Sequence, residues 1–160
     1  MLLELRCLAA LSCLLACACA AGGSRIRLPA GDLRPAQVQF SAQVQTNGRI
    51  VPLQGGMEME RNGGVMAVIL PYGQTLGQCA YSADMNMHCQ AAPGAGNTGA
   101  SLLPWVGLAL YRLLPLIDGA DGAPSHGQDW SAACPQGGNS CTYANRGKEM
   151  RILFMGDPAP

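Results

Sequence analysis

Residues 36–45 alternate without a break: Ala36, Val38, Phe40, Ala42 and Val44 fall on one side, Gln37, Gln39, Ser41, Gln43 and Gln45 on the other. Such a period of two predicts a strand with one buried and one wet face. Asn47-Gly48 follows, a preferred pair for a tight hairpin turn. The next run repeats the pattern, with Val51, Leu53, Met57 and Met59 inward and Gln54, Glu58 and Glu60 outward. Gly55-Gly56 within it predicts a bulge or bend. Asn62-Gly63-Gly64 marks a second turn, and residues 65–70 are continuously apolar, which predicts a strand covered on both faces. After the break at 71–73, residues 75–81 and 85–90 read as a hairpin, and 142–144 with 149–155 as a last one around Arg146-Gly147.

Residues 91–100 have loop composition. The helix candidate is 101–117, with Ser101 near the N-cap, Pro104 in the first turn and Pro115 ending it. Trp105, Val106, Leu108, Ala109, Leu110, Leu113 and Leu114 leave almost no polar face, and Arg112 is the only charge within 104–114. A helix apolar all round lies inside protein or membrane. The oily run from Pro104 is about eleven to fourteen residues, too short for ~30 Å of hydrocarbon, so it is expected against the sheet. Residues 118–140 read as a Gly- and Asp-rich loop. The predicted fold class is α+β, mainly antiparallel β: a curved meander sheet, or half-barrel, with one buried helix on its apolar face.

Composition narrows the setting. The chain has 160 residues, one domain's worth, and 10 Lys plus Arg balance 10 Asp plus Glu. No basic footprint points to nucleic acid. Residues 1–20 read as an export leader, with an apolar run over 7–20 broken only by Ser12. Two processing readings stand. Leu14-Leu15-Ala16-Cys17 resembles a bacterial lipoprotein box, with Cys17 the lipid attachment site and residues 21–34 a tether. Ala18-Cys19-Ala20 also fits ordinary secretory cleavage after Ala20. The first reading predicts a lipoprotein on the periplasmic face of the outer membrane, the second a soluble periplasmic protein. The expected organisation is leader 1–20, tether 21–34, a single β domain over 35–155, and a frayed tail over 156–160.

The other four cysteines lie in the body: Cys79, Cys89, Cys134 and Cys141. Four cysteines in an exported chain read as two disulfides with three possible connectivities. A three-residue turn over 83–85 would pair Ser82 with Asn86, Ala80 with His88 and Cys79 with Cys89, close enough to bridge. Cys134 and Cys141 bound a flexible loop that a local bridge would close. Neither pair is a CxxC, which favours disulfides over a metal site.

The stretch Val65-Met-Ala-Val-Ile-Leu-Pro-Tyr-Gly-Gln-Thr-Leu-Gly-Gln78 and the later Tyr111-Arg112-Leu113-Leu114-Pro115 resemble elements of small LolA/LolB-like lipoproteins of the bacterial envelope. That resemblance covers roughly 35–155 and implies an open half-barrel whose concave face holds acyl chains. The expected partners are a membrane, through the lipid anchor, and acyl chains or lipoproteins. A cavity for them would draw on Phe40, Val44, Leu53, Met57, Met59, Trp105 and Leu108. The alternative is an accessory protein of an envelope complex, working through protein contacts at edge strands and the 118–140 loop. No catalytic residue, metal or cofactor is assigned. Met85, Met87, His88 and Cys89 include soft copper ligands, but strand alternation puts His88 on the opposite face. Ser125, His126 and Asp129 are neighbours in sequence without a nucleophile elbow, and read as a turn.

Overall fold

A computed structural model describes residues 23–29, 33, 35–117, 124–135 and 139–155. The expected leader with its Cys17 anchor, and the tail over 156–160, lie outside the described residues. The described chain runs β1 (Ser24–Arg27), β2 (Ala36–Thr46), β3 (Arg49–Glu60), β4 (Gly63–Ile69), β5 (Thr75–Ser82) and β6 (Asn86–Ala91). It continues through α1 (Gly96–Ile117), β7 (Ser125–His126), β8 (Trp130–Ala133), β9 (Ser140–Asn145) and β10 (Lys148–Met155). All ten strands join one open antiparallel sheet in the order β1-β6-β5-β4-β3-β2-β10-β9-β8-β7.

The turn residues set the registers. Asn47 and Gly48 both have positive φ (49° and 71°), the conformation of a two-residue hairpin turn that keeps strand twist. Val44 then faces Val51 and Ala42 faces Leu53, which keeps the apolar set on one side. β10 pairs with β2 in the middle of the sheet, with Met150 opposite Val44 and Phe154 opposite Phe40, joining the last hairpin to the first. Ser82 pairs with Asn86, Ala80 with His88 and Cys79 with Cys89, as the spacing predicts.

Four expectations need correction. Pairing runs unbroken through Gly55 and Gly56; the shift in register falls instead between Val68 and Ile69. Gly55 is there because the Phe40 ring lies over it: a Cβ would come within 2.6 Å of Phe40 Cζ and also meet the Ala67 carbonyl. The apolar run of β4 is covered on one face only, since Met66 and Val68 are buried while Val65 is 50% exposed. Within the stretch read as a tether, Ser24–Arg27 forms an edge strand on β6, with Ile26 opposite Met87. The stretch read as loop over 118–140 supplies β7 and β8, which extend the other end of the sheet.

The helix is longer than its sequence signals suggest, beginning at Gly96 rather than Ser101, so Pro104 sits in its third turn and not its first. Lacking an N–H, Pro104 gives up one intrahelical bond there. At 22 residues α1 is long and apolar enough to cross a membrane by length and composition, but half of it is buried inside the fold. It packs on β5 and β6 and also touches β1 at one end of the sheet and β8 and β9 near the other. Both ends therefore curl toward one helix, giving the expected half-barrel.

The helix comes close to the sheet at Gly107, where a Cβ would stand 2.7 Å from Met87 Sδ and 3.2 Å from Cys79 Sγ. The buried Tyr81 hydroxyl donates to the Gly107 carbonyl at 2.9 Å, so sheet and helix share a hydrogen bond inside the core. Burial pushes the Tyr81 phenol far above its ordinary value. The folded state holds this proton more tightly than the unfolded one. The resulting stability is intact below about pH 10, the unfolded value, and declines as pH rises beyond it. Tyr81→Phe should cost about 1 kcal/mol at neutral pH. Urea unfolding at neutral and alkaline pH should show the variant losing less stability above pH ~10 than the parent.

Candidate functional site: an aromatic and cationic cleft

The concave face is filled. Phe40 and Val44 have no accessible surface, and Leu53, Met57 and Met59 retain 1–2%. Among the described residues no polar or charged side chain is buried with them. Of the seven residues expected to line an acyl cavity, the structure thus places five in a packed core. The other two, Trp105 and Leu108, lie together elsewhere, half-buried on the outer side of α1.

Ser101, Trp105, Leu108 and Arg112 form one stripe on α1, spaced three or four residues apart as a helix face requires. This stripe floors a cleft of about 560 Å³ at the place where the two ends of the sheet approach each other over the helix. Ile26 of β1 stands on one side. Trp130 of β8 and the turn from Asn145 to Lys148 stand on the other. A second, more polar trough of about 690 Å³ adjoins it, sharing Trp130, Asn145, Arg146 and Lys148 and adding Gln45, Asn47 and His126.

Tyr143 holds the aromatic wall in place. It is fully buried, meets Trp105 edge-on at 5.3 Å between ring centres, and stacks near Trp130 at 6.3 Å. The Arg112 guanidinium carbon lies over Trp130, 4.1 Å from the ring centre, and Nη1 donates to the Tyr143 hydroxyl at 2.7 Å. Asn145 Nδ2 donates to the same hydroxyl at 3.2 Å. Such stacking suits arginine, whose planar, weakly hydrated cation favours an aromatic face. Lys148 Nζ is 5.9 Å from the Trp105 ring centre. Gly127 completes the wall: the Trp130 indole occupies the space a Cβ would need, and the Gly127 N–H donates to the Trp130 carbonyl at 2.9 Å.

Charge in the cleft is lopsided. Arg146 pairs with Asp129 at 3.6 Å, both exposed. Arg112 and Lys148 have no carboxylate within ion-pair distance among the described residues. Arg112 Nε and Trp105 Nε1 are buried without an acceptor among them. A buried donor left unpaired is costly, and native folds keep few.

The remaining chemistry of the sequence is placed as follows. Both disulfides form, Cys79–Cys89 and Cys134–Cys141. Met87 and the bridged Cys89 face the core while His88 is exposed on the other face, so the soft ligands of β6 are divided. No group of three His, Cys, Asp or Glu side chains is placed to hold a metal ion among the described residues. Asp129 is engaged by Arg146 and belongs to the cleft with His126 on its polar side. The cleft itself escapes a reading of the sequence except at two points: Arg112 is the lone charge of an oily helix, and both tryptophans of the chain line it. Neither a model of a known protein family nor a curated protein matches the chain.

Proposed function

We propose that this protein is a non-catalytic binding protein of the cell envelope, held at the membrane by a lipid on Cys17 and acting through its outer surface. The observation that carries the surface reading is the burial of Phe40, Val44, Leu53, Met57 and Met59, whose side chains pack the concave face. The two disulfides support export, since such bonds persist in oxidising compartments. The LolA/LolB-like resemblance would place acyl chains against those five side chains, so lipid carriage stands second to surface binding. Work as an accessory protein of an envelope complex fits the same geometry.

The anchor is tested by expressing the full chain with its own leader in bacteria fed a clickable palmitate analogue. The parent protein should carry the label and sediment with membranes. Cys17→Ala should lose the label and move to the soluble fraction. An unlabelled parent, or a Cys17→Ala protein still bound to membranes, contradicts lipid anchoring at that residue.

A further inference from the structure

We propose that the cleft over α1 binds a small monocarboxylate with a ring body. This deepens the surface-binding reading by naming what the surface takes. Its two walls differ in chemistry. Ile26, Pro104 and Leu108 offer apolar surface, whereas Arg112 and Lys148 offer cations with no carboxylate partner among the described residues. The whole chain is neutral, so this local excess is not a bulk property. Ligand sites commonly combine apolar walls with a few placed polar groups, as here.

Arg112 is the key residue. Position 112 is partly buried on an apolar helix, and an apolar side chain there would cost less than a guanidinium whose Nε has no acceptor among the described residues. Local choices that oppose stability concentrate at functional sites. Trp130 and Tyr143 fix the guanidinium plane before any ligand arrives, which removes part of the entropic cost of binding. An anion entering here gains charge-assisted hydrogen bonds from a cation already in position. Asp129 is taken up by Arg146 at 3.6 Å, so the cations left for an entering anion are Arg112 and Lys148. The ring body follows from the apolar wall and the two indoles, and the amides of Gln128 and Asn145 can serve hydroxyl or amide substituents on it. The same chemistry occurs in an acidic sugar and in an aromatic acid.

Tryptophan fluorescence reads this cleft directly, because Trp105 and Trp130 are the only tryptophans. The processed full-length protein is titrated with N-acetylmuramate, phenylacetate, N-acetylglucosamine and acetate. Saturable quenching or a spectral shift by N-acetylmuramate alone identifies an acidic sugar, and by phenylacetate alone an aromatic acid. The uncharged sugar and the ringless acid should have little effect. Arg112→Gln should weaken the response about tenfold or more, the size expected for one charge-assisted hydrogen bond. Lys148→Gln, on the rim, gives a second reading if Arg112→Gln does not fold. No saturable response to either ring acid overturns the proposal. So does an equal response to N-acetylglucosamine, or undiminished binding in both variants. A failed titration leaves the Cys17 fractionation result standing, so the site and the anchor fail separately.

Discussion

Reducing both disulfides should remove about 5 kcal/mol of stability, roughly 2.5 kcal/mol per bridge from the chain-entropy estimate for short loops. The bridged residues are 10 and 7 apart in sequence, so each closes a small loop. Domains of this size have about 5–15 kcal/mol in total, so reduction should remove about a third or more of the stability. The two bridges differ in what covers them. Cys79 and Cys89 lie under α1, with Gly107 a close neighbour of the Cys79 sulfur, whereas Cys134–Cys141 ties β9 to the segment after β8. The Cys79→Ala/Cys89→Ala pair therefore also loosens the seat of the helix. It should lower the urea midpoint more than Cys134→Ala/Cys141→Ala does. Equal loss from both pairs would mean that loop closure accounts for all of the stabilisation.

Phe40→Ala should cost about 3–5 kcal/mol, the range for deleting a fully buried aromatic ring. The ring fills the space above Gly55, and neither residue has a substitute for the other's shape. Gly55→Val should accordingly cost at least about 1–3 kcal/mol, through the clash with Phe40 and the Ala67 carbonyl. Joining it to Phe40→Ala should recover part of that loss, because the valine methyls enter the vacated volume. A double variant no more stable than additivity predicts would show that the two positions do not share one space. The measurement is urea unfolding of the two single variants and the double.

The β2–β3 hairpin was the most legible because it carried two agreeing signals, whereas the apolar run of β4 hid which face is buried. In β2 and β3 alternation chose the face, and Asn47-Gly48 fixed the register. The same logic found the Cys79–Cys89 bridge, since the register of the β5–β6 hairpin follows from its three-residue turn. Shorter elements escaped. β1 and β8 are four residues each and β7 two, too short for a period to declare itself. The start of α1 was hidden by Gly96 and Gly99 and by a proline that looked like a first-turn residue. Gly55 resembled a bulge because a sequence does not show that the aromatic ring of its partner on the facing strand, Phe40, will cover it. The cleft was least legible of all. Arg112, Trp130, Tyr143 and Lys148 come from a helix and three strands, and they meet only because the sheet curls until both its ends reach the helix.

The filled concave face is the claim on which the functional account turns, and native mass spectrometry of the processed protein tests it most directly. The account predicts a bare polypeptide under gentle conditions, four hydrogens lighter than the reduced chain because of its two disulfides. For the lipidated form, the mass should exceed this by the covalent anchor alone. A non-covalent adduct of fatty-acid or phospholipid mass, retained by the native protein and lost on unfolding, would contradict it. That result would mean that the sheet opens around Phe40 and Met57 to admit an acyl chain.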